Sequence, residues 1–424
     1  MRVLRQRATS GEFTEALLDD ALAGSSLGTK DRALCQELVC GVVRWQATLD
    51  WLIDRKTGGR TQKAELRSLL RLGLYQLFWL DRVPDHAAVN ETVELAKRSG
   101  FGAQAGFVNA VLRSYLRDRE ATDRALADLK AANPSLGYSH PEWLWFRWQA
   151  RWGTERSAEL MEWNNTPPRT YARINTLKAE AGKLLARWRE QEDVEYDFFQ
   201  REWTGENLVF ELKSHPPLAK LPSFQEGLFY VQDPSTLLAV REMDPRSGET
   251  VLDLCSAPGG KTTYLAQLMQ NRGCIVAGDI VPERLRLLQE NCTRLGATCV
   301  EPALLQNTGP SALGDRRFDK VLVDAPCSNT GVMRRRIDLR WRIRLEEIER
   351  LRAAQLDLLR QSAALVKPGG TLIYSTCSLE PEENSAVREA FVAANPTFKL
   401  ENERELLPFA DGVDGAYVAR LRRG

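Results

Sequence analysis

The sequence has no Cys-x-x-Cys pair, only three histidines, no long apolar run and almost no net charge. Each absence removes a class of function. The eight cysteines are scattered, and His86, His140 and His215 lie far apart, so four closely spaced zinc ligands are not available and no metal is expected. No stretch approaches the roughly 20 apolar residues that a membrane span needs. The opening residues MRVLRQRATSGEF lack the apolar core of a signal peptide. A cytoplasmic protein with reduced thiols is therefore expected, and disulfides are the wrong explanation for its cysteines. With 58 basic against 57 acidic residues, global charge argues neither for nor against nucleic acid, and local clusters must carry that question.

What is present suggests three parts. Over residues 1–128 apolar side chains recur at three-and-four spacing, as in Leu66, Leu69, Leu70, Leu74, Leu77 and Phe78, or Val108, Val111, Leu112 and Tyr115. Five to seven short helices, an all-α domain, are expected there. Residues 129–225 are different: tryptophans crowd HPEWLWFRWQARWG (140–153), prolines recur, and RTYARINT (169–176) and NLVFELK (207–213) suggest strands of a small α+β module. Over 226–424 strands and helices alternate, which implies a parallel sheet of Rossmann-like type. Expected strands are 249–254, 274–280, 297–302, 319–325 and 370–376, with 415–423 as an added edge strand. Helices fit 261–270, 282–295, 344–366 and 382–393.

DLCSAPGGKT (253–262) joins the first of these strands to the first helix. Gly259 and Gly260 let a ligand approach the backbone. A P-loop would need glycine at Cys255, and GxGxxG is absent, so the loop has no strong phosphate nest. Asp279, at the end of the next strand, can accept both hydroxyls of a ribose. A nucleoside cofactor without pyrophosphate, S-adenosylmethionine, fits this pattern; a nucleotide site or a merely structural turn is the alternative. Two further strands, KVLVDA and TLIYST, each end on a cysteine, Cys327 and Cys377. In open α/β sheets ligands bind outside the carboxyl ends of strands, so both thiols are expected over one pocket, where they can act on an electrophilic carbon.

DLCSAPGGKT, VDAPCSNTG (323–331) and YSTCS (374–378), followed by EENS (382–385), closely resemble the motifs of RNA cytosine-5 methyltransferases, as do VQDPS (231–235), NNTPP (164–168) and RIN (173–175). The helical front, notably LGLYQLFWLDRVPDHAAVNETVELAK (72–97) and FVNAVLR (107–113), resembles the RNA-binding fold of the antiterminator NusB. A NusB-like domain before such a core resembles the bacterial members that act on small-subunit ribosomal RNA. The resemblance implies S-adenosylmethionine-dependent formation of 5-methylcytosine in 16S ribosomal RNA. It assigns Cys377 as the nucleophile on C6 of the base, Cys327 as the thiol assisting product release, and Asp324 as a contact to the base edge or the cofactor. DNA cytosine methyltransferases use the Pro-Cys cysteine instead, so the swapped assignment stays open.

The same resemblance places cofactor contacts at Cys255, Ser256, Ala257, Pro258, Gly259, Gly260, Lys261, Asp279 and Asp324. RNA contacts are expected at Arg173 and Asn175 and at Arg334, Arg335 and Arg336, in a stretch (333–344) with six arginines and one acid. Lys261 either reaches Asp324 or is a solvent-exposed helix charge. The remaining five cysteines read as small hydrophobes. The expected partner is ribosomal RNA and the expected state a monomer. Two departures from the family pattern stand out. Ala303 occupies the position of an acidic residue that contacts adenine, for which Glu301, Gln306 or Asn307 are candidate substitutes. Ile337 ends an Arg-Arg-Arg-Ile run where Arg-Arg-His-Pro is usual. A transfer-RNA cytosine methyltransferase with the same core, or a non-catalytic RNA-binding assembly factor, are the rival readings.

Overall fold

In the computed structural model, residues 1–305 and 309–424 are described, with the backbone alone at 311. The chain divides into two compact units, Met1–Pro167 with Met333–Arg342, and Pro168–Val332 with Ile343–Gly424.

The first unit is helical among the described residues. Seven α-helices precede residue 118, and an eighth, Arg119–Ala132, runs through the expected boundary at 128. The expected stripes form its core: Leu69, Leu70, Leu74, Val108 and Leu112 are fully buried, each such side chain contributing about 2 kcal/mol by leaving water. The tryptophan-rich segment forms Glu142–Asn165, broken at Gly153 by a left-handed φ of 80°. It belongs to this unit rather than to the strands that follow it, with Trp145 and Trp148 buried.

The second unit holds two sheets. The smaller comprises β1 (Thr170–Ile174), β2 (Glu195–Phe199), β3 (Val209–Ser214) and β4 (Phe229–Val231), in the order β2-β3-β1-β4. Its pairs are antiparallel. The larger has seven strands: β5 (Thr250–Leu254), β6 (Cys274–Asp279), β7 (Val300–Leu304), β8 (Phe318–Asp324), β9 (Val366–Thr376), β10 (Phe398–Leu406) and β11 (Ala416–Arg423), ordered β10-β11-β9-β8-β5-β6-β7. The five strands β5 to β9 run parallel. Side chains alternate between two cores: Val251, Ile275, Leu322 and Ile373 enter one, whereas Leu252, Val276, Val321, Val323 and Leu372 enter the other. That alternation is the period-two signature of a sheet covered on both faces.

Two strand expectations are corrected. The last strand, β11, is not an edge but pairs with both β9 and β10. The edge is β10, whose sequence FKLENEREL is mostly exposed and charged, a composition that protects a free strand from pairing with other chains. The third strand, expected at 297–302, begins at Val300, after the left-handed Gly296 ends the helix Pro282–Leu295.

Candidate active site: a cofactor loop and two opposed thiols

Chain order reverses at β5, which has β6 on one side and β8 on the other. This is the switch point at which an open α/β sheet leaves a crevice beyond its strand ends. The turn after β5, the last residue of β6, and the turns after β8 and β9 all open there.

The turn after β5 is built from unusual backbone. Cys255 has φ 61° and Gly259 φ 104°. Gly260 sits so close to Tyr230 and Gln232 that an added Cβ would come within about 3 Å of both. Ser256 donates from its backbone and its hydroxyl to Gly278 O, and Arg284 donates to Ala257 O. The amide of Ala257 donates to Asp279 at 3.3 Å, and Asn291 donates to Pro258 O at 3.0 Å. Asp279 is buried and accepts the Val281 amide through its other oxygen. Lys261 reaches Asp324 at 2.7 Å. Burial alone would lower the Lys261 ammonium, but the Asp324 charge and hydrogen bond outweigh it and hold the pKa up. Asp324 also accepts from the Ser375 hydroxyl at 2.8 Å.

Burial, then the charges of Asp324, Asp279 and Asp253, push the Cys255 thiol up to about 12. Asp324 is paired with Lys261 at 2.7 Å, and Asp279 lies 3.5 Å from Arg284. Asp253 is wholly buried, with one oxygen taking the Thr262 hydroxyl at 2.6 Å and the other without a partner. The close backbone approach at Gly260 and the buried Asp279 carboxylate at the end of the next strand fit S-adenosylmethionine.

The thiols meet as the strand pattern suggests. β8 and β9 are adjacent and parallel, in register through Asp324 opposite Ser375, and Cys327 Sγ lies 3.3 Å from Cys377 Sγ. Cys327 is buried and Cys377 half-buried. The hydrogen bond with Cys377, then burial, raise the Cys327 pKa well above its ordinary value, so this sulfur is held as a thiol. Asn329 takes a left-handed φ of 59°, which asparagine tolerates. Its side chain donates to Cys327 O and accepts from Cys377 Sγ at 3.1 Å. Of the other cysteines, Cys292 is buried, whereas Cys35, Cys40, Cys274 and Cys299 are half-buried.

The arginine expectations need correction. Arg173 is fully buried and donates to Gln232, Gly260 O and Thr263, between the rings of Tyr230 and Tyr264. Asn175 is buried and donates to Gly227 O and Leu295 O. Both hold the small sheet to the elements around the cofactor turn, and neither offers a donor to a phosphate in solvent. Arg334 is buried with its guanidinium 4.0 Å from the Trp163 ring centre. Arg335 is half-buried, and only Arg336 of the three is exposed. The ten residues Met333–Arg342 belong to the helical unit, although the chain on both sides belongs to the other. There Ile337 joins the helical core, Asp338 accepts from Arg7 and the Thr14 amide, and Arg340 donates to Asn165 and Asn164 O. Arg334 and Arg340 are thus buried within the helical unit, whereas Arg335 and Arg336 are not.

Ala303 pairs with Gly278 near the end of β7 and supplies no charge. Glu301 is exposed and bound to Arg316 at 3.1 Å; Gln306 and Asn307 lie outside the described residues. Asp253, Asn329 and Ser375 escaped assignment from sequence, although all three sit inside or beside the quoted motifs.

A family model described as 16S rRNA methyltransferase RsmB/F matches residues 240–422, one for the NusB family matches 1–117, and one for a ferredoxin-like domain of RsmF/B-like methyltransferases matches 140–197. Ribosomal RNA small subunit methyltransferase B of Klebsiella pneumoniae subsp. pneumoniae is 37% identical over 92% of this chain and 90% of that protein. The chain belongs to this RsmB/F family. The probable ribosomal RNA small subunit methyltransferase B of Bacillus subtilis is 34% identical over 97% of the chain and 95% of that protein. Among solved structures, a methyltransferase homologue from Pyrococcus horikoshii superposes with a TM-score of 0.60 at 31% identity, over 68% of this chain and 97% of that one. The cofactor of this methyltransferase is S-adenosylmethionine.

Proposed function

We propose that this protein methylates C5 of a cytosine in 16S ribosomal RNA through a transient bond between Cys377 and C6 of the base. The observation that carries the reading is the 3.3 Å approach of two thiols at neighbouring strand ends, beside the cofactor turn. Cytosine C5 is a poor nucleophile until the ring is activated. Addition of the Cys377 thiolate to C6 places electron density on C5, dividing one hard step into easier ones. Asp324, fixed by Lys261 and Ser375, is assigned to contact the base edge or the cofactor.

When bound, S-adenosylmethionine supplies an electrophilic methyl group, held by the turn 255–261 and by Asp279. Release then requires water to take the C5 proton as the C6–S bond breaks, its electron pair returning to Cys377, with Cys327 reprotonated from solvent after it has given up its own proton. Cys327, a thiol at 3.3 Å, supplies the proton that neutralises the departing sulfur. The greater burial of Cys327 and its retained proton favour this division of roles over the swapped one. RNA contact is proposed for Arg335 and Arg336 alone among the expected arginines. The target base must unstack to reach the thiols, at a cost of a few kcal/mol.

The test is methyl transfer from labelled S-adenosylmethionine to a small-subunit ribosomal RNA transcript, with the product nucleoside identified by mass spectrometry. Wild type should yield 5-methylcytidine, and Cys377→Ala should yield none while still binding the cofactor. Activity in Cys377→Ala would reject the sulfur assignment, and methylation of transfer RNA alone would reject the substrate.

A further inference from the structure

One buried acid joins both thiol turns and has no part in the scheme above. Glu383 is fully buried. Its carboxylate accepts the Ser328 amide at 2.8 Å, the Ser328 hydroxyl, the Ser378 hydroxyl at 2.5 Å and the Gln355 side-chain amide at 3.0 Å. Ser328 follows Cys327 and Ser378 follows Cys377. The two serine hydroxyls lie 3.1 Å apart, and Gln355 also holds Pro326 O, just before Cys327. Glu383 is itself fixed, because the Tyr374 hydroxyl donates to its carbonyl. No lysine or arginine is paired with this carboxylate among the described residues.

We propose that Glu383 is a positioning residue for the thiol pair, tying the residue after each cysteine to one carboxylate and thereby setting both the sulfur–sulfur distance and which sulfur acts as nucleophile. The inference rests on the cysteine chemistry proposed above and adds a residue to it.

The physical case has two parts. A carboxylate only accepts hydrogen bonds, so four donors converging on one group lock the turns after β8 and β9 into a single spacing. A buried acid without a counter-ion is costly, and burial does raise the Glu383 pKa. The four donors oppose that rise by favouring the charged form. Its charge bears on Cys327. Cys327 feels Glu383 after Cys377 and burial, and all three favour its protonated form. The clamp therefore holds one sulfur back as a proton carrier and leaves Cys377, the more open of the two, to attack.

Glu383→Gln keeps the volume and one acceptor while removing the charge and turning one acceptor into a donor. The first readout is iodoacetamide labelling of the full-length protein without RNA, quantified by peptide mass spectrometry. Wild type should label Cys377 well ahead of Cys327; in Glu383→Gln that preference should shrink by about tenfold, the equivalent of one pKa unit. The second is methyl transfer to a small-subunit ribosomal RNA transcript, where kcat should fall about a hundredfold, as expected for reacting groups displaced by 1 Å, with KM for the RNA little changed. An unchanged labelling preference together with wild-type kcat would overturn the role given to Glu383. Should Glu383→Gln fail to fold, the double variant Ser328→Ala, Ser378→Ala removes two of the four donors and is held to the same two outcomes. Persistent activity in Cys377→Ala would instead sink the adduct scheme, a result separable from the labelling ratio, which requires neither RNA nor turnover.

Discussion

Replacing Asp253 by asparagine should make the protein less sensitive to rising pH. Asp253 lies at the foot of the cofactor turn, wholly buried, and burial raises its pKa from 3.8 to about 7 against the opposing pull of the Thr262 hydrogen bond. In the unfolded chain the same carboxyl ionises near its ordinary value. Between pH 4 and 7 the unfolded chain has therefore lost a proton that the folded chain retains, and the linkage slope is negative. The penalty is absent below about pH 4, grows through that window and is complete above pH 7. At 1.36 kcal/mol per unit the full shift is worth about 4 kcal/mol, of which about 3 kcal/mol develops between pH 5 and pH 8. The substituted asparagine can still accept from Thr262 and carries no proton to lose. Urea unfolding of both proteins at the two pH values, compared at matched m, should show Asp253→Asn gaining about 3 kcal/mol on wild type between pH 5 and pH 8. A gap that stays constant, or one that narrows at pH 8, would mean that Asp253 is already ionised in the folded protein, and the reasoning would fail.

Two further outcomes concern stability. Arg340→Met should destabilise the helical unit by about 3 kcal/mol, because it strands the buried Asn165 side chain and Asn164 carbonyl that Arg340 now satisfies; a denaturation midpoint within error of wild type would contradict it. Gly227→Ala should cost about 3 kcal/mol or more and lower the yield of folded protein, since φ is +76° and the new Cβ would lie 1.9 Å from Arg294 O; normal stability by calorimetry would show that the turn yields more readily than this packing implies.

The catalytic half was legible because its signals are local. DLCSAPGGKT carries its glycines and its lysine within ten residues, and the strands before Cys327 and Cys377 are apolar runs that could hardly be anything else. The rest depended on distant partners. β10 reads as a charged stretch because it is an exposed edge, and only pairing with β11 identifies it as a strand. Arg334 and Arg340 looked like a basic surface because composition does not reveal burial; Trp163 and Asn165, about 170 positions earlier, receive them. Arg173 and Asn175 misled in the same way, since a short strand ending in polar residues gives no sign that Thr263 and Leu295 await it. Glu383 was visible only as one of two acids in EENS, and its meaning comes from two serines brought together by the parallel pairing of β8 and β9.

The central claim is a covalent bond between one named sulfur and the target base. With Cys327→Ala, the sulfur at 377 should still add to C6 but release slowly. Incubation with S-adenosylmethionine and a small-subunit ribosomal RNA transcript should then accumulate a protein–RNA species that survives denaturing gels, with digestion placing the nucleotide on Cys377. A variant that turns over freely without such a species, or one in which the nucleotide is found on any residue other than Cys377, would contradict the account.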